Sequence, residues 1–289
     1  MNIRTTTESA FEPEFHVYEP HRAGLPKLRP YFVELWHRRQ FAAELSRATM
    51  RAANSLTVFG QLWLVLNPLL LACVYYVLVS ILSSRGGLDF LAHLVAGLFA
   101  FYFVSGCITS GASSVTGGGK LVATMAFPRL LMPLSAVRTA FFRFLPTLIV
   151  YFAIHVAAGA PWSPKMFLAL AFLAMMVVFA AGAAAVFAAL QVYFRDTSSF
   201  LPYFVRIWLY LSPVLWYPED ISRRLPDSVA RFAELNPLFS LVGGWSDLIV
   251  RSEVPSLQIW IGALVWAVVA AVAGSLFFMS RERDFAVRL

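Results

Sequence analysis

Residues 62–82 read LWLVLNPLLLACVYYVLVSIL, and they lie inside a longer charge-free stretch, residues 52–84. A helix needs about 20 consecutive apolar residues to cross the hydrocarbon core of a bilayer. Because lipid offers no hydrogen-bond partners, such a segment must satisfy its own backbone groups as a helix. Strands of a membrane barrel would alternate in polarity, and these residues do not. The stretch therefore predicts a membrane-spanning helix.

Similar runs recur along the chain and predict an all-α, polytopic membrane protein. The chain is 59% hydrophobic and 13% charged, with a mean hydropathy of +0.69. These values lie well outside the averages of soluble proteins. The six predicted transmembrane helices are residues 62–82, 90–114, 134–160, 166–194, 199–217 and 257–279.

The positions of lysine and arginine predict the orientation, because basic loops are retained in the cytoplasm. Basic residues concentrate in the N-terminal region, in the loop between the second and third spans, and in the C-terminal tail. The outer segments hold fewer of them, and acids offset these. Both termini are therefore expected in the cytoplasm. The net charge of +7 then follows from topology and attraction to anionic lipid, and no nucleic acid partner is needed.

The N-terminal region divides at Pro30. Residues 1–30 are polar and proline-punctuated, without the short apolar run of a cleavable signal peptide. We expect them to be loosely ordered, with Pro30 in the first turn of a following helix. Residues 31–54 predict a moderately amphipathic helix. It lies either on the inner membrane surface, with its arginines toward lipid phosphate, or in solvent before the first span.

Residues 116–133, TGGGKLVATMAFPRLLMP, occupy the predicted cytoplasmic loop between the second and third spans. The glycines before Lys120 suggest a phosphate-binding loop, but Ser114 and Leu121 stand where that motif requires Gly and Ser or Thr. The glycines are expected to break the helix instead. A short helix, residues 120–127, then follows and ends at Pro128. Such a cytoplasmic helix can present a transporter to a motor subunit.

The fifth predicted span is short and carries Arg206 between two prolines. An arginine at that depth either faces protein, water or substrate, or snorkels to the inner headgroups. Residues 218–250 carry too many charges to span, yet residues 239–250 are fairly apolar. We expect a pair of short helices that dip partly into the outer leaflet.

The chain offers no pattern for catalysis or metal binding. Cys73 and Cys107 lie inside the first and second spans, and their spacing indicates neither a disulfide framework nor a metal site. No acid sits centrally in a predicted span, which argues against an ion-driven antiporter. No catalytic residue and no bound metal are predicted.

Several short motifs together resemble the ABC-2 type permeases that export lipid-linked polysaccharides, such as O-antigen and teichoic acid. The resemblance covers nearly the whole chain from about Leu35, and it lies in the order and spacing of the motifs. The N-terminal extension is longer than the family leads one to expect. The motifs are Gly60-Gln61-Leu62-Trp63, Asn67-Pro68, Phe127-Pro128-Arg129, Met132-Pro133, Arg195-Asp196, Ser212-Pro213-Val214 and Asn236-Pro237-Leu238.

The resemblance implies the ABC-2 exporter fold, with residues 31–54 as an interface helix and residues 55–289 as the transmembrane domain. Within that domain, residues 117–133 would couple to the ATPase and residues 218–250 would form an outer gate. The residues assigned to coupling are Lys120, Phe127, Pro128 and Arg129.

The resemblance also implies partners. Two copies of the permease would bind two separate ATP-binding cassette subunits, which hold the ATP and magnesium, so no cofactor is expected in this chain. A lipid-linked glycan would cross the bacterial inner membrane through a channel at the dimer interface.

Aromatic rings stack on the apolar faces of sugars, so aromatic residues of the first and fifth spans are candidates for the channel lining. Trp63 and Trp216, near span ends, fit an interfacial aromatic belt equally well. The candidates are Tyr75, Tyr76, Tyr203, Phe204, Trp208 and Tyr210.

A polyprenyl diphosphate carrier needs cationic contacts at the inner leaflet, and guanidinium groups suit phosphate. The candidates are Arg38, Arg39, Arg47 and Arg51, with Arg129 and Arg143 also available. For each of them, an ordinary arginine of a cytoplasmic loop is the alternative.

Two other functions stay open on the sequence. The first is the export of drugs or small lipids, which the same family scaffold also carries. Export that depends on the length of the glycan chain would distinguish a glycan exporter from this alternative. A channel or scaffold without an ATPase partner is the alternative of another class, which co-purification with an ATPase decides. The excess of Arg over Lys and the many Ala residues indicate a GC-rich genome, which makes an envelope galactan one candidate polymer.

Overall fold

A computed structural model describes residues 24–53, 59–83, 87–217 and 233–289, and the regular elements in these ranges are all helical. Residues 1–23 of the predicted N-terminal extension and residues 218–232 of the predicted outer gate lie outside the described residues. The helices are α1 (Leu28–His37), α2 (Arg39–Ala52), α3 (Trp63–Ser83), α4 (Leu88–Gly117), α5 (Gly119–Thr124), α6 (Leu131–Ala157), α7 (Ala169–Tyr193), α8 (Thr197–Tyr210), α9 (Pro237–Ser246), α10 (Leu257–Arg281) and α11 (Phe285–Arg288).

Five of these helices, namely α3, α4, α6, α7 and α10, are long and apolar enough to cross a membrane. They coincide closely with the first four predicted spans and with the sixth. Helix α6 begins at Leu131, three residues before the predicted bound, and Arg138 and Arg143 lie within it. Pro133 does not prevent this early start, because proline is tolerated in the first turn of a helix.

Helix α4 is the centre of the bundle. In its most apolar stretch, 83% of the residues are buried inside the protein, whereas in the corresponding stretch of α3 only 6% are buried. Small residues let the central helices approach closely, as is usual in membranes. Gly111 of α4 faces Ala184 of α7, and Gly182 of α7 lies against the α10 backbone at Ala270 and Gly274.

The fifth predicted span is only partly helical. Helix α8 has 14 residues, or about 21 Å at 1.5 Å per residue, short of the roughly 30 Å of hydrocarbon. The non-helical residues 211–217 continue in the same direction along α4. Successive contacts with α4 run from its middle toward its first turn: Trp208 with Phe101, Val214 with Gly97, and Tyr217 with His93.

Asn236 satisfies the backbone where α8 ends. Its Nδ2 donates to the Leu211 carbonyl at 2.9 Å and to Ser212 Oγ at 3.2 Å. Its Oδ1 accepts from Trp208 Nε1 at 2.7 Å and from the Leu238 amide at 3.1 Å. Non-helical backbone at membrane depth is tolerated only where protein or water satisfies it. The Asn236 side chain thus joins α8 to the first turn of α9.

Helix α9 and the single π-helical turn that follows it, Asp247–Arg251, form the described end of the predicted outer gate. Residues 240–246 are all buried, and Gly244 lies directly against the Phe172 ring of α7. Tyr151 of α6 donates to the Ile249 carbonyl at 2.7 Å. The segment therefore packs inside the bundle against α4, α7 and α10, and is more deeply enclosed than the prediction of partly dipping helices implied.

Both ends of the described chain meet at one end of the bundle. The Tyr31 hydroxyl donates to the buried Glu282 carboxylate at 2.6 Å, and Arg129 donates to the Glu282 carbonyl. Tyr193, at the end of α7, donates to Asp284 at 2.6 Å. The N-terminal helix, the segment after α5 and the C-terminal tail are therefore on the same side. That this side is cytoplasmic stays a prediction from the charge distribution.

The predicted helix of residues 31–54 is two helices. It begins earlier, at Leu28, and breaks at Arg38, whose φ and ψ are −93° and 13°. Ala42 and Ser46 of α2 are buried, and Thr139 of α6 donates to Ser46 Oγ at 2.9 Å. Helix α2 is thus fixed to the bundle through α6.

Candidate functional site

One of the exposed faces of the bundle carries polar aromatic residues. Tyr203, Arg206 and Tyr210 of α8 are all exposed, and their spacing places them on one side of the helix. Tyr75 of the largely exposed helix α3 pairs with Tyr210, and Arg206 lies close enough to act on Tyr75 electrostatically. The three tyrosines and the arginine therefore form one patch, here called the tyrosine face.

Tyr102 of α4 extends this patch and was missed from the sequence. Its hydroxyl lies near those of Tyr75 and Tyr210 and near the Arg206 guanidinium. The sequence alone gave no reason to choose it, because a tyrosine in a central, apolar helix reads as core packing. Only the electrostatic interactions of Tyr102 with residues of α3 and α8 associate it with the tyrosine face.

The other predicted lining residues point elsewhere. The Tyr76 hydroxyl accepts from the Gly87 amide at 3.0 Å, which ties α3 to the residue just before α4. Phe204 packs on Phe187 at 5.9 Å and on Trp208 at 5.3 Å. Trp208 is in turn held by Asn236. Of the six candidates, three belong to the tyrosine face and the other three make packing contacts within the described protein.

The predicted coupling segment divides into an anchored part and an exposed part. Phe127 packs against Phe41 of α2 at 4.8 Å, Pro128 is buried, and Arg129 bonds to the C-terminal tail. Lys120 is exposed, as are residues 123–126, and Met125 is 48% exposed. The surface that this segment offers to another protein is therefore α5 and the residues directly after it.

Among the arginines predicted to contact diphosphate, three have partners in the described protein. Arg38 forms an ion pair with Glu34 at 3.1 Å and donates to the Ala126 carbonyl at 2.5 Å. Arg39 lies over the Trp36 ring, 4.5 Å from its centroid, and Arg47 pairs with Glu44 at 2.5 Å. Arg51 is exposed at the end of α2. The structure spreads these side chains along α2 and the break before it, and does not converge them on one point.

Within the described ranges, no group of three or more His, Cys, Asp and Glu side chains is placed to hold a metal ion. The two cysteines differ in exposure: Cys73 is exposed and Cys107 is buried.

A family model described as "ABC-2 type transporter" matches residues 39–250. Three similar proteins are each described as "O-antigen export system permease protein RfbA". One from Klebsiella pneumoniae is 28% identical over 196 residues, which are 68% of this chain and 74% of that protein. A second from the same species is 26% identical over 222 residues, 76% and 84% of the two chains. One from Myxococcus xanthus is 26% identical over 255 residues, 88% and 96%.

Proposed function

Because the chain belongs to the ABC-2 type transporter family and is a multi-pass bacterial membrane protein, we propose that it is the permease of a polysaccharide export system. The cargo is an O-antigen-like glycan linked to a polyprenyl diphosphate, and it crosses the inner membrane through a channel between two copies of the permease. ATP is hydrolysed on two separate ATP-binding cassette subunits. The names of the three similar proteins support the polysaccharide.

The tyrosine face is the observation that carries this proposal. A guanidinium facing lipid at mid-membrane is costly, so Arg206 requires a polar neighbour or a water-filled space. Hydroxyl-bearing aromatic rings beside it offer stacking surface and hydrogen bonds together, which suits a sugar chain. A second copy placed against α3 and α8 would enclose this face and make it the channel wall.

The exposed residues around α5 supply the contact with the ATP-binding subunit. Since Phe127 and Arg129 fix the following residues to α2 and to the C-terminal tail, we infer that movement of α5 is transmitted to both of these elements. This rigid connection is what a coupling element needs.

The test is to co-express the chain with its ATP-binding subunit and to measure ATP hydrolysis by the purified complex. We expect a stable complex whose hydrolysis rises with a lipid-linked glycan and depends on glycan length. A response to small amphiphiles alone would indicate a drug or lipid exporter. A chain that purifies without an ATPase would indicate a channel or scaffold.

A further inference from the structure

Two cavities meet at Arg143 of α6. The first, here called the entrance cavity, has a volume of about 560 Å³ and lies between the end of α2, the start of α3 and α6. The second, here called the deep cavity, has a volume of about 280 Å³ and lies between α3, α4 and α6. Leu64 and Arg143 line both of them. The cavities are therefore neighbours that share one wall.

Arg143 is the only charged residue among the described residues that line either cavity. No described side chain forms an ion pair or a hydrogen bond with its guanidinium. The side chain is half-buried, so its charge is only partly solvated. Arginine is expensive to place in a membrane-spanning helix, and such residues usually face a partner or a ligand.

The depth of Arg143 matches a phosphate group. Helix α2 packs on α6 through Ser46 and Thr139, one helical turn before Arg143. If α2 lies in the membrane interface, as its amphipathic pattern predicts, Arg143 lies at the level of the lipid phosphates.

The deep cavity leads from Arg143 toward the tyrosine face. Tyr102 lines it on the far side, and the Tyr102 hydroxyl lies near Tyr75 and Tyr210. The cavity also presents Asn67 and Ser110, whose side chains bond to no described residue. These groups suit the hydroxyls of a sugar or the oxygens of a second phosphate.

We propose that the two cavities receive the phosphate-bearing end of the prenyl-linked substrate, with Arg143 as the group that binds its diphosphate. This inference rests on the proposed function and gives it a loading site. The prenyl chain stays in the bilayer beside the entrance cavity, while the first sugars lie in the deep cavity toward Tyr102. The phosphate of a bulk phospholipid would bind Arg143 equally well. A phospholipid, however, carries no sugar chain to fill the deep cavity between Arg143 and the tyrosine face.

The experiment uses the complex with its ATP-binding subunits in bilayers of phosphatidylcholine. The probe is a polyprenyl diphosphate disaccharide, and the measured quantity is its concentration at half-maximal stimulation of ATP hydrolysis. Charge-assisted hydrogen bonds to phosphate are among the stronger ones, so Arg143→Gln should raise this concentration at least about tenfold. Arg143→Lys keeps the charge and should raise it less.

The matched control is Arg138→Gln. It removes the same charge from the same helix, but Arg138 lies over the Phe142 ring, 5.1 Å from its centroid, and lines neither cavity. We expect its half-maximal concentration to stay within about twofold of the unaltered chain, since its loss removes no contact with phosphate.

The outcomes separate the loading site from the function itself. The measurement is repeated with a long-chain lipid-linked glycan, and a complex of the unaltered chain that responds to neither substrate overturns the proposed function. A response that Arg143→Gln leaves unchanged, or that Arg138→Gln weakens equally, overturns only the loading site. Stimulation of ATP hydrolysis by phosphatidylglycerol alone that Arg143→Gln abolishes, with the response to the probe unchanged, assigns the cavities to bulk lipid and also overturns it.

If the Arg143→Gln complex does not assemble, a second variant tests the loading site. Leu64→Trp fills the junction of the two cavities without touching a charge. We expect it to raise the half-maximal concentration at least about tenfold as well, since it excludes the substrate from the deep cavity. An assembled Leu64→Trp complex with an unchanged value overturns the loading site.

Discussion

Asn236 holds together the least regular part of the transmembrane domain. It makes four hydrogen bonds, to Trp208, Leu211, Ser212 and Leu238. Its replacement by Ala leaves several of these groups unpaired in a water-poor setting. Each unsatisfied group costs about 1–3 kcal/mol, so we expect Asn236→Ala to lower the free energy of unfolding by at least about 2 kcal/mol. Thermal unfolding in detergent, followed by tryptophan fluorescence, measures this.

Asn67→Ala is the control for the loss of stability expected of Asn236→Ala. Asn67 is exposed on α3, and its amide bonds to no described residue. Its removal should therefore change the midpoint of unfolding little. Equal midpoints for the two variants would show that the Asn236 bonds do not stabilise the end of α8.

Tyr31 fastens the N-terminal helix to the C-terminal tail. Burial, and then the neighbouring Glu282 carboxylate, raise the pKa of its hydroxyl well above the usual range, so the group stays protonated and keeps donating at neutral pH. Tyr31→Phe removes that donor and leaves the buried carboxylate without it. Burial raises the pKa of the Glu282 carboxyl to about 7, so at pH 8 the bond is to a charged group and its loss costs about 1.5–3 kcal/mol. We expect hydrogen exchange in α1 and α2 at that pH to be faster by at least about tenfold.

Tyr193→Phe provides the comparison, because Tyr193 also donates to an acid of the tail, Asp284, but is less buried. Exchange in α1 and α2 should stay close to that of the unaltered chain. If both variants speed exchange equally, the tail as a whole, and not the Tyr31 bond, holds the N-terminal helices.

Sequence patterns identified these residues only in part. The motifs around Ser212 and Asn236 were recognised as marks of a family, but nothing in them indicated that their side chains bond to each other. The bond joins positions 24 residues apart, and the intervening residues include a region outside the described ranges. Tyr31 was predicted only as the start of a helix, because its partner Glu282 lies 251 residues away.

At the scale of elements, α7 and α10 cross where both carry glycine. A Cβ on Gly182 would overlap the Ala270 carbonyl, and a Cβ on Gly274 would overlap the Gly182 carbonyl. Backbone cannot move aside as a flexible side chain can. Gly182→Ala should therefore force the two helices apart and destabilise the protein by about 1–3 kcal/mol, visible as a lower midpoint of thermal unfolding.

Gly106→Ala is the matched substitution in α4. Gly106 also lies inside a long helix, but a Cβ there would meet open space. Alanine is the better helix former by about 0.5–1 kcal/mol, so this variant should be as stable as the unaltered chain or more so. A Gly182→Ala midpoint at or above that of Gly106→Ala would contradict the close crossing.

The sequence predicted the bounds of a helix well where hydrophobicity sets its length. It predicted them poorly where hydrogen bonds to residues distant in the sequence end the helix. The long apolar helices α3, α4, α7 and α10 begin and end within about three residues of their predicted bounds, since membrane thickness alone demands their length. The fifth span was predicted as a helix to residue 217, but α8 ends at Tyr210. Its non-helical end depends on Asn236, which no local pattern reveals.

For the whole molecule, the uncovered tyrosine face is the feature that a single copy leaves unexplained. A second copy placed against α3 and α8 would surround Arg206 with protein and water. Cysteines introduced on this face should then lie near their equivalents in the partner. We expect Tyr203→Cys, with Cys73 replaced by Ala, to form cross-linked dimers with a short bis-maleimide in native membranes.

Ile149→Cys is the control for this cross-linking, in the same background. Ile149 of α6 is 75% exposed and Tyr203 is 68% exposed, so both positions are reachable, but Ile149 lies on a face that should meet lipid. It should give far less dimer. Comparable dimer from both positions would point to random collision, and dimer from Ile149→Cys alone would move the interface to α6.

The central claim is that this chain carries a lipid-linked glycan across the membrane when ATP is hydrolysed on its partner subunits. The most direct measurement is protection of a fluorescent polyprenyl diphosphate glycan in vesicles that contain the complex with its ATP-binding sites facing outward. The account predicts that ATP makes a growing share of the glycan inaccessible to a glycosidase added outside, and that Arg206→Gln slows this. Glycan that stays fully accessible in the presence of ATP, in vesicles whose complex hydrolyses ATP, would contradict it.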